Sequence, residues 1–256
     1  MIIILCAILG LCIGSFINAW VLRLHAGKSV SRGRSECPDC HHRLNWQDLI
    51  PVFSYVQLRG KCRYCNKPIS WQYPIGEITT AIVFGLLAWH FGVGSKQAMV
   101  QLAFWLVIAT LLIAAAIYDA RWRLLPDLYL LPALALSVSL LLINYFYFGQ
   151  HQVATNVVGM MVFVGFYLVL YLLSRKRWIG QGDILLAAIM GFLLAPGQLA
   201  VAVFASYMIG AIAGLVILKQ KKAKDHHIAF GPFLVLGLFV GLFWGQSLVS
   251  WYLGLI

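Results

Sequence analysis

The chain has 256 residues, of which 62% are hydrophobic and 11% charged, and its mean hydropathy is +0.86. These values exclude an ordinary soluble domain and indicate a protein that needs lipid as part of its solvent. We therefore interpret the net charge of +11 first as evidence on membrane topology, because Lys and Arg concentrate in the cytoplasmic loops of membrane proteins. We expect no nucleic acid partner; binding of nucleic acid by the basic residues 23–74 is the less favoured alternative.

Apolar runs recur along almost the whole chain, and most approach or exceed the roughly 20 residues that a helix needs to cross a bilayer. The first run has no basic residue before it, whereas Arg23 and Lys28 follow it, which favours an uncleaved anchor over a signal peptide. The predicted fold class is an all-α polytopic membrane protein with about eight transmembrane helices. The predicted spans are 1–22, 73–91, 98–118, 125–148, 152–173, the short 182–195, 198–218 and 229–255.

The basic residues are distributed unevenly over the predicted loops. Nine of the 19 Lys and Arg lie in 23–74, two follow the third span, three follow the fifth and four follow the seventh, which leaves only Lys96. With eight alternating spans these four regions fall on one face, and the positive-inside rule makes that face cytoplasmic. We therefore expect a multi-pass membrane protein with both termini outside.

Two CxxC pairs stand out in the largest polar region, residues 23–74. Cys37 and Cys40 form the first pair and Cys62 and Cys65 the second, with 21 residues between the pairs. This spacing is typical of four-thiolate zinc sites, which leave no open position for substrate and are therefore structural. Disulfides or free thiols are the alternative, and a reducing cytoplasmic location disfavours disulfides. We expect a zinc ion that stabilises a segment otherwise close to the lower size limit for folding.

Acidic residues next to apolar spans are the candidates for function. Asp127 follows Pro126 at the start of a span, where an acid is favoured simply by the helix dipole. Asp183 ends a GxGD sequence at 180–183, in which the glycines permit close backbone approach. Asp119 ends the third span, where the dipole disfavours an anion. Glu77 lies near the start of the second span.

Asp119 and Asp183 belong by topology to the same membrane face. Two neighbouring carboxylates that share one proton can act as base and acid on a peptide bond, which is the chemistry of aspartyl proteases. An ion or proton relay uses similar residues and remains the alternative from the residues alone.

Several motifs, taken together, resemble the type IV prepilin peptidases, also called prepilin leader peptidase/N-methyltransferases. The resemblance covers nearly the whole chain. The residues that carry it are GSFIN at 14–18 with Arg23, the four cysteines, NWQDLIPVFSY at 45–55, LRGKC at 58–62, Tyr73-Pro74 with Glu77, Asp119 with LLPD at 124–127, GQGD at 180–183 and FGPF at 230–233. Many members of the family carry a Lys two positions after the GxGD sequence, where this chain has Leu185.

The resemblance implies that Asp119 and Asp183 are catalytic and that the substrates are prepilins or pseudopilins with a short basic leader. Cleavage is then expected after a glycine at the cytoplasmic face of the bacterial cytoplasmic (inner) membrane. The new N-terminal residue, typically Phe, is expected to be methylated with S-adenosylmethionine. The candidate positions for methyl transfer are Gly60, Lys61 and Glu77, with a structural role for Glu77 as the alternative.

The expected organisation is a first transmembrane helix (1–22), a cytoplasmic zinc-binding segment associated with methyl transfer (23–74) and a seven-helix membrane peptidase domain (75–256). Two other functions compete with the peptidase. One is a zinc-stabilised transporter or channel that uses the same aspartates as an ion relay. The other is a scaffold that docks pilus-assembly proteins through residues 23–74, for which the aspartates are dispensable.

Overall fold

The computed structural model describes residues 1–30, 33–149, 153–175, 180–219 and 229–254. Within these ranges the chain is helical apart from its loops, and the only β structure is a pair of isolated bridges. Six of the basic residues used for the topology prediction lie outside the described residues: Arg32, Lys176, Arg177, Lys221, Lys222 and Lys224.

Seven of the helices in the described ranges are long and apolar enough to cross a membrane. The helices are α1 (Ile2–His25), α2 (Phe53–Gln57), α3 (Gln72–Phe91), α4 (Lys96–Trp122), α5 (Asp127–Phe148), α6 (Val153–Leu173), α7 (Gln181–Leu193), α8 (Pro196–Lys219) and α9 (Gly231–Leu253). The helix α7 corresponds to the predicted short span, and α2 belongs to the segment between α1 and α3. The predicted all-α polytopic fold, with a tetracysteine segment between its first two spans, is confirmed.

Proline and glycine set several helix boundaries. Pro126 precedes α5, Pro196 begins α8, and Pro232 is the second residue of α9. Proline is tolerated in a first turn because the N–H that it lacks has no partner there. Gly92 and Gly149 end α3 and α5 with φ of +65° and +63°, in the left-handed region where a glycine meets no Cβ clash.

The chain forms two compact units, residues 1–117 and 118–256. In the first unit, α1 and α3 pack with their backbones in close contact. A Cβ at Gly14 would lie 2.6 Å from the Cα of Glu77, so the helices approach this closely only because position 14 has no side chain. Ile17 and Leu87 are fully buried in this unit.

In the second unit, α7 packs against α5, α6 and α9, and α8 packs along α9. Leu186, Ile189 and Met190 of α7 are fully buried. A helix of 13 residues is about 20 Å long, shorter than the hydrocarbon core that a full span crosses. Neighbouring helices on several sides of α7 therefore position the GxGD sequence at its start.

Candidate active site and metal centre

Asp119 lies in the last turn of α4 and is only 5% exposed. The carboxylate oxygen Oδ2 accepts a hydrogen bond of 2.9 Å from the backbone N–H of Gly231, the first residue of α9. The anion therefore lies at the C-terminal end of its own helix but faces the N-terminus of another helix, whose free N–H groups favour negative charge. This contact explains how an acid is retained at a position that its own helix disfavours.

Asp183 is the third residue of α7, and its Oδ2 accepts a hydrogen bond of 3.0 Å from the backbone N–H of Gly180. The side chain thus stabilises the start of its helix. Asp183 is half-buried. Asp127 differs from both residues, because it is exposed in the first turn of α5. An acid at such a position is stabilised by the helix dipole alone.

A single side chain, that of Leu125, contacts the glycines beside both aspartates. A Cβ on Gly182 would lie 2.9 Å from Leu125 Cδ1, and a Cβ on Gly231 would lie 3.1 Å from Leu125 Cδ2. The structure therefore brings the two predicted catalytic aspartates into one site, at the starts of α7 and α9.

Tyrosines of α6 and α8 surround this site. The hydroxyl groups of Tyr167 and Tyr207 lie 3.2 Å apart, and Tyr167, which is only 1% exposed, lies within reach of the Asp183 charge. Gln181 donates a hydrogen bond of 3.2 Å to the hydroxyl of Tyr171. These residues were not predicted from the sequence. The available signal was the spacing of two tyrosines four positions apart in an apolar helix, which places both on one face.

The four cysteines of the segment 23–74 form one cluster, with their sulfur atoms all within 4.8 Å of one another. None of them is in a disulfide. The Sγ atoms of Cys37 and Cys65 are 3.9 Å apart. A tetrahedral zinc ion with Zn–S bonds of 2.3 Å requires sulfur atoms about 3.8 Å apart, so the donor set fits zinc.

The two cysteine pairs lie in loops of the same geometry, which we call the first knuckle (36–43) and the second knuckle (61–68). Each knuckle is closed by one isolated bridge, Glu36 to Arg43 and Lys61 to Pro68. The residue after the second cysteine has a positive φ in both, +55° at His41 and +58° at Asn66. Since Cys37 and Cys62 are 25 residues apart, the knuckles are a short structural repeat in the chain.

Side chains also connect the knuckles directly. Lys67 pairs with Asp39 at 2.8 Å, and the rings of His42 and Tyr64 lie 3.6 Å apart. The 25-residue offset relates His42 to Lys67 and Asp39 to Tyr64, so these two contacts are equivalent within the repeat. The knuckles therefore contact each other through matching positions as well as through the cysteines.

Asp48 connects the second knuckle to the loop before α2. Its Oδ1 accepts a hydrogen bond of 2.7 Å from Arg63, and its Oδ2 accepts one of 3.0 Å from the hydroxyl of Tyr64. Partial burial opposes ionisation, but Arg63, Tyr64 and the backbone N–H of Asn45 together hold the pKa of Asp48 below its usual value.

The candidates for methyl transfer lie in different elements of the first unit. Gly60 has a φ of +69°, a conformation that favours glycine, and Lys61 begins the second knuckle. Glu77 lies in α3 and is 7% exposed. Its Oε2 accepts a hydrogen bond of 2.7 Å from the backbone N–H of Val52, and the Ser15 side chain donates another to the carboxylate.

The apolar helices, the tetracysteine segment after the first span and the paired aspartates define a polytopic membrane protein with a carboxylate site at helix ends. Residues 8–91 match the family model described as "Bacterial Peptidase A24 N-terminal domain", and residues 106–215 match the one described as "Type IV leader peptidase family". The chain belongs to the type IV leader peptidase family, and the family predicted from its motifs is confirmed.

Curated relatives support this assignment along the full chain. A protein of Stutzerimonas stutzeri is 30% identical over 98% of this chain and 93% of its own length. One of Bacillus subtilis (strain 168) is 31% identical over 96% of both chains, and one of Legionella pneumophila is 34% identical over 86% of this chain and 76% of its own. All three carry the name "Prepilin leader peptidase/N-methyltransferase". No solved structure significantly matches the chain.

Proposed function

We propose that this chain cleaves the basic leader from prepilins or pseudopilins after a glycine and then N-methylates the new N-terminal residue with S-adenosylmethionine. Membership of the type IV leader peptidase family and the names of its relatives support this function. The structural observation that carries the proposal is the convergence of Asp119 and Asp183 around Leu125.

Asp119 and Asp183 are assigned as the catalytic pair. Each carboxylate has one oxygen engaged by a backbone N–H, from Gly231 and Gly180 respectively. The second oxygen of each is assigned to water and substrate. One carboxylate removes a proton from the attacking water while the protonated partner donates its proton to the scissile carbonyl oxygen. Collapse of the tetrahedral intermediate releases the pilin amine, which takes up a proton from the pair.

The reaction is assigned to the cytoplasmic face of the inner membrane. Arg121 and Arg123 follow Asp119 directly, and the positive-inside rule places such residues in the cytoplasm. A prepilin keeps its basic leader in the cytoplasm and its apolar stem in the bilayer, so the cleaved bond lies at the interface between them. With α7 counted as a crossing, both termini of the chain lie outside.

The tetracysteine cluster is assigned to zinc in a structural role. Zinc would be held by Cys37, Cys40, Cys62 and Cys65, two from each knuckle. When bound, the ion supplies a cross-link between the knuckles, and four thiolates leave it no position for a substrate.

Methyl transfer is assigned to the first unit, with Gly60, Lys61 and Glu77 as the candidate positions. S-adenosylmethionine supplies an electrophilic methyl group on a sulfonium. The protein must remove a proton from the pilin α-ammonium before the amine can attack this methyl group, and the Glu77 carboxylate is suited to accept that proton. Glu77 has no cationic partner among the described residues, which fits a positively charged ligand.

A mass measurement tests both activities in one reaction. Purified protein in detergent is incubated with a full-length prepilin, with and without S-adenosylmethionine, and the intact pilin is weighed by mass spectrometry. The mass should fall by that of the leader in both reactions and then rise by one methylene unit only when the methyl donor is present. A pilin of unchanged length would contradict the peptidase, and a cleaved but unmodified pilin would contradict methyl transfer alone.

A further inference from the structure

A buried amide at the interface of α1 and α3 has an unused acceptor. Asn18 is 1% exposed, and its Nδ2 donates a hydrogen bond of 3.1 Å to the carbonyl oxygen of Tyr73. This bond fixes the orientation of the amide, so Oδ1 is the atom that faces the other way. Oδ1 is buried and has no hydrogen-bond partner among the described residues. A buried acceptor without a donor is unfavourable unless a ligand supplies the donor.

Glu77, one turn further along α3 than Tyr73, is a buried carboxylate with neutral partners only. These partners are the backbone N–H of Val52 and the Ser15 side chain. The three ion pairs found in the described part of the chain involve other acids: Glu36, Asp39 and Asp48. Burying a carboxylate without a cation costs free energy, so Glu77 favours a positively charged donor.

The amide of Asn18 and the carboxylate of Glu77 belong to one interface. Ser15 and Asn18 are three residues apart on α1, and Tyr73 and Glu77 are four apart on α3, so each pair shares a helix face. Gly76, next to Glu77, lies against the Asn18 amide: a Cβ at that position would be 3.3 Å from Oδ1. Glycine at this position leaves the acceptor uncovered by a side chain.

The donor that covers Glu77 is held in an unfavourable conformation. Val52 has φ of +60° and ψ of −46°, which a β-branched residue rarely adopts. Its neighbours Pro51 and Phe53 are joined across it by a backbone hydrogen bond, so Val52 is the centre of a tight turn. The hydrogen bond that Glu77 accepts from Val52 therefore comes from a strained turn.

We propose that Glu77 and Asn18 form a binding site for a primary ammonium group. Such a group carries three donors and one positive charge, which match the Glu77 carboxylate and the unused Oδ1 of Asn18. This inference rests on the proposed function, because two of its reactants carry a primary ammonium: the new N-terminus of the cleaved pilin and the amino acid part of S-adenosylmethionine.

The test measures binding, so that it does not depend on methyl transfer. The probes are a peptide of the first ten residues of a processed pilin with a free N-terminus, the same peptide N-acetylated, and S-adenosylmethionine. Wild-type protein should bind the free peptide at least about tenfold more tightly than the acetylated one, and Glu77→Gln should remove this preference. Glu36→Gln is the matched control, because Glu36 is an exposed acid paired with Lys28, and it should behave as wild type.

Two outcomes support the site and identify its ligand. Loss of the free-amine preference in Glu77→Gln assigns the site to the pilin N-terminus. If Glu77→Gln instead binds S-adenosylmethionine at least tenfold more weakly and keeps the preference for the free peptide, the site is assigned to the methyl donor. If Glu77→Gln binds all three probes with the same affinities as Glu36→Gln, the proposal is overturned.

A second variant and a folding measurement distinguish loss of the site from misfolding. Asn18→Leu fills a similar volume and removes the acceptor, and it should weaken the same ligand as Glu77→Gln does. Bound zinc, measured per chain, reports whether the segment 23–74 is folded in each variant. If both variants retain wild-type zinc and wild-type binding, the site is refuted. A wild-type protein that prefers the free amine but does not methylate it would refute only methyl transfer.

Discussion

The backbone N–H of Gly231 lies 2.9 Å from Oδ2 of Asp119, although the two residues are 112 positions apart in the sequence. The contact joins the last turn of α4 to the first residue of α9. A Cβ at position 231 would lie 2.7 Å from the same carboxylate oxygen, so the hydrogen bond depends on a glycine at that position.

Replacing Gly231 with alanine should therefore displace the Asp119 carboxylate. We expect the rate of leader cleavage to fall by about tenfold to a hundredfold, since a shift of about 1 Å in a catalytic group has effects of this size. The control is Gly165→Ala in α6, where an added Cβ meets no atom within 4 Å. Cleavage by Gly231→Ala at the rate of Gly165→Ala would show that this hydrogen bond does not position the aspartate.

Asparagine substitutions test the proposed catalytic pair while nearly preserving its shape. Asp119→Asn and Asp183→Asn should each reduce cleavage at least about a thousandfold, because neither amide can exchange the proton that the pair transfers. Asp127→Asn provides the control, since Asp127 is an exposed acid at a helix start. The measurement is the fraction of prepilin converted over time, with membrane insertion checked separately. Cleavage that survives in either variant would exclude the dyad mechanism.

Elemental analysis tests the metal centre. The purified protein should contain about one zinc ion per chain, and Cys62→Ser should lower this content strongly, because three thiolates hold zinc less tightly than four. Cys12→Ser is the control, since Cys12 is an exposed thiol of α1 outside the cluster. Limited proteolysis should then cut within 23–74 faster in Cys62→Ser than in Cys12→Ser. Equal zinc content in the two variants would contradict the four-thiolate site.

The hydroxyl of Tyr207 should support the geometry around Asp183. Tyr207→Phe removes the partner of the Tyr167 hydroxyl, which is buried, and leaving it unsatisfied costs about 1–3 kcal/mol. We expect a lower thermal midpoint, and we expect the cleavage rate to fall by roughly threefold to thirtyfold if the displaced tyrosine shifts Asp183. Tyr147→Phe, at a tyrosine that is 82% exposed, should change neither quantity. If the two variants behave alike, the tyrosine pair has no role in the site.

Local sequence patterns were sufficient to predict most of the fold. Apolar runs predicted the spans because each crosses the same thickness of lipid, and the short α7 was visible as a short run. The CxxC spacing predicted a cluster of four cysteines for a similar reason, since each pair already lies in one tight loop. The 25-residue repeat that contains them was also visible in the spacing of Cys37 and Cys62.

The contacts that complete the site could not be predicted in the same way. Gly231 was visible only as part of a family motif, and its hydrogen bond to Asp119 depends on how α4 and α9 pack. The unused oxygen of Asn18 and the positive φ of Val52 likewise arise from the packing of α1, α3 and the loop between them. Periodicity describes one helix at a time, so it contains no information about which residues of two helices meet.

The isobutyl group of Leu125 contacts Gly182 at the start of α7 and Gly231 at the start of α9. The two aspartates are held by backbone groups at these same helix starts, so one apolar spacer sets the gap between the two carboxylates. A smaller or larger residue at position 125 would change the distance between the two carboxylates, so both aspartates should lose their alignment at once instead of one at a time.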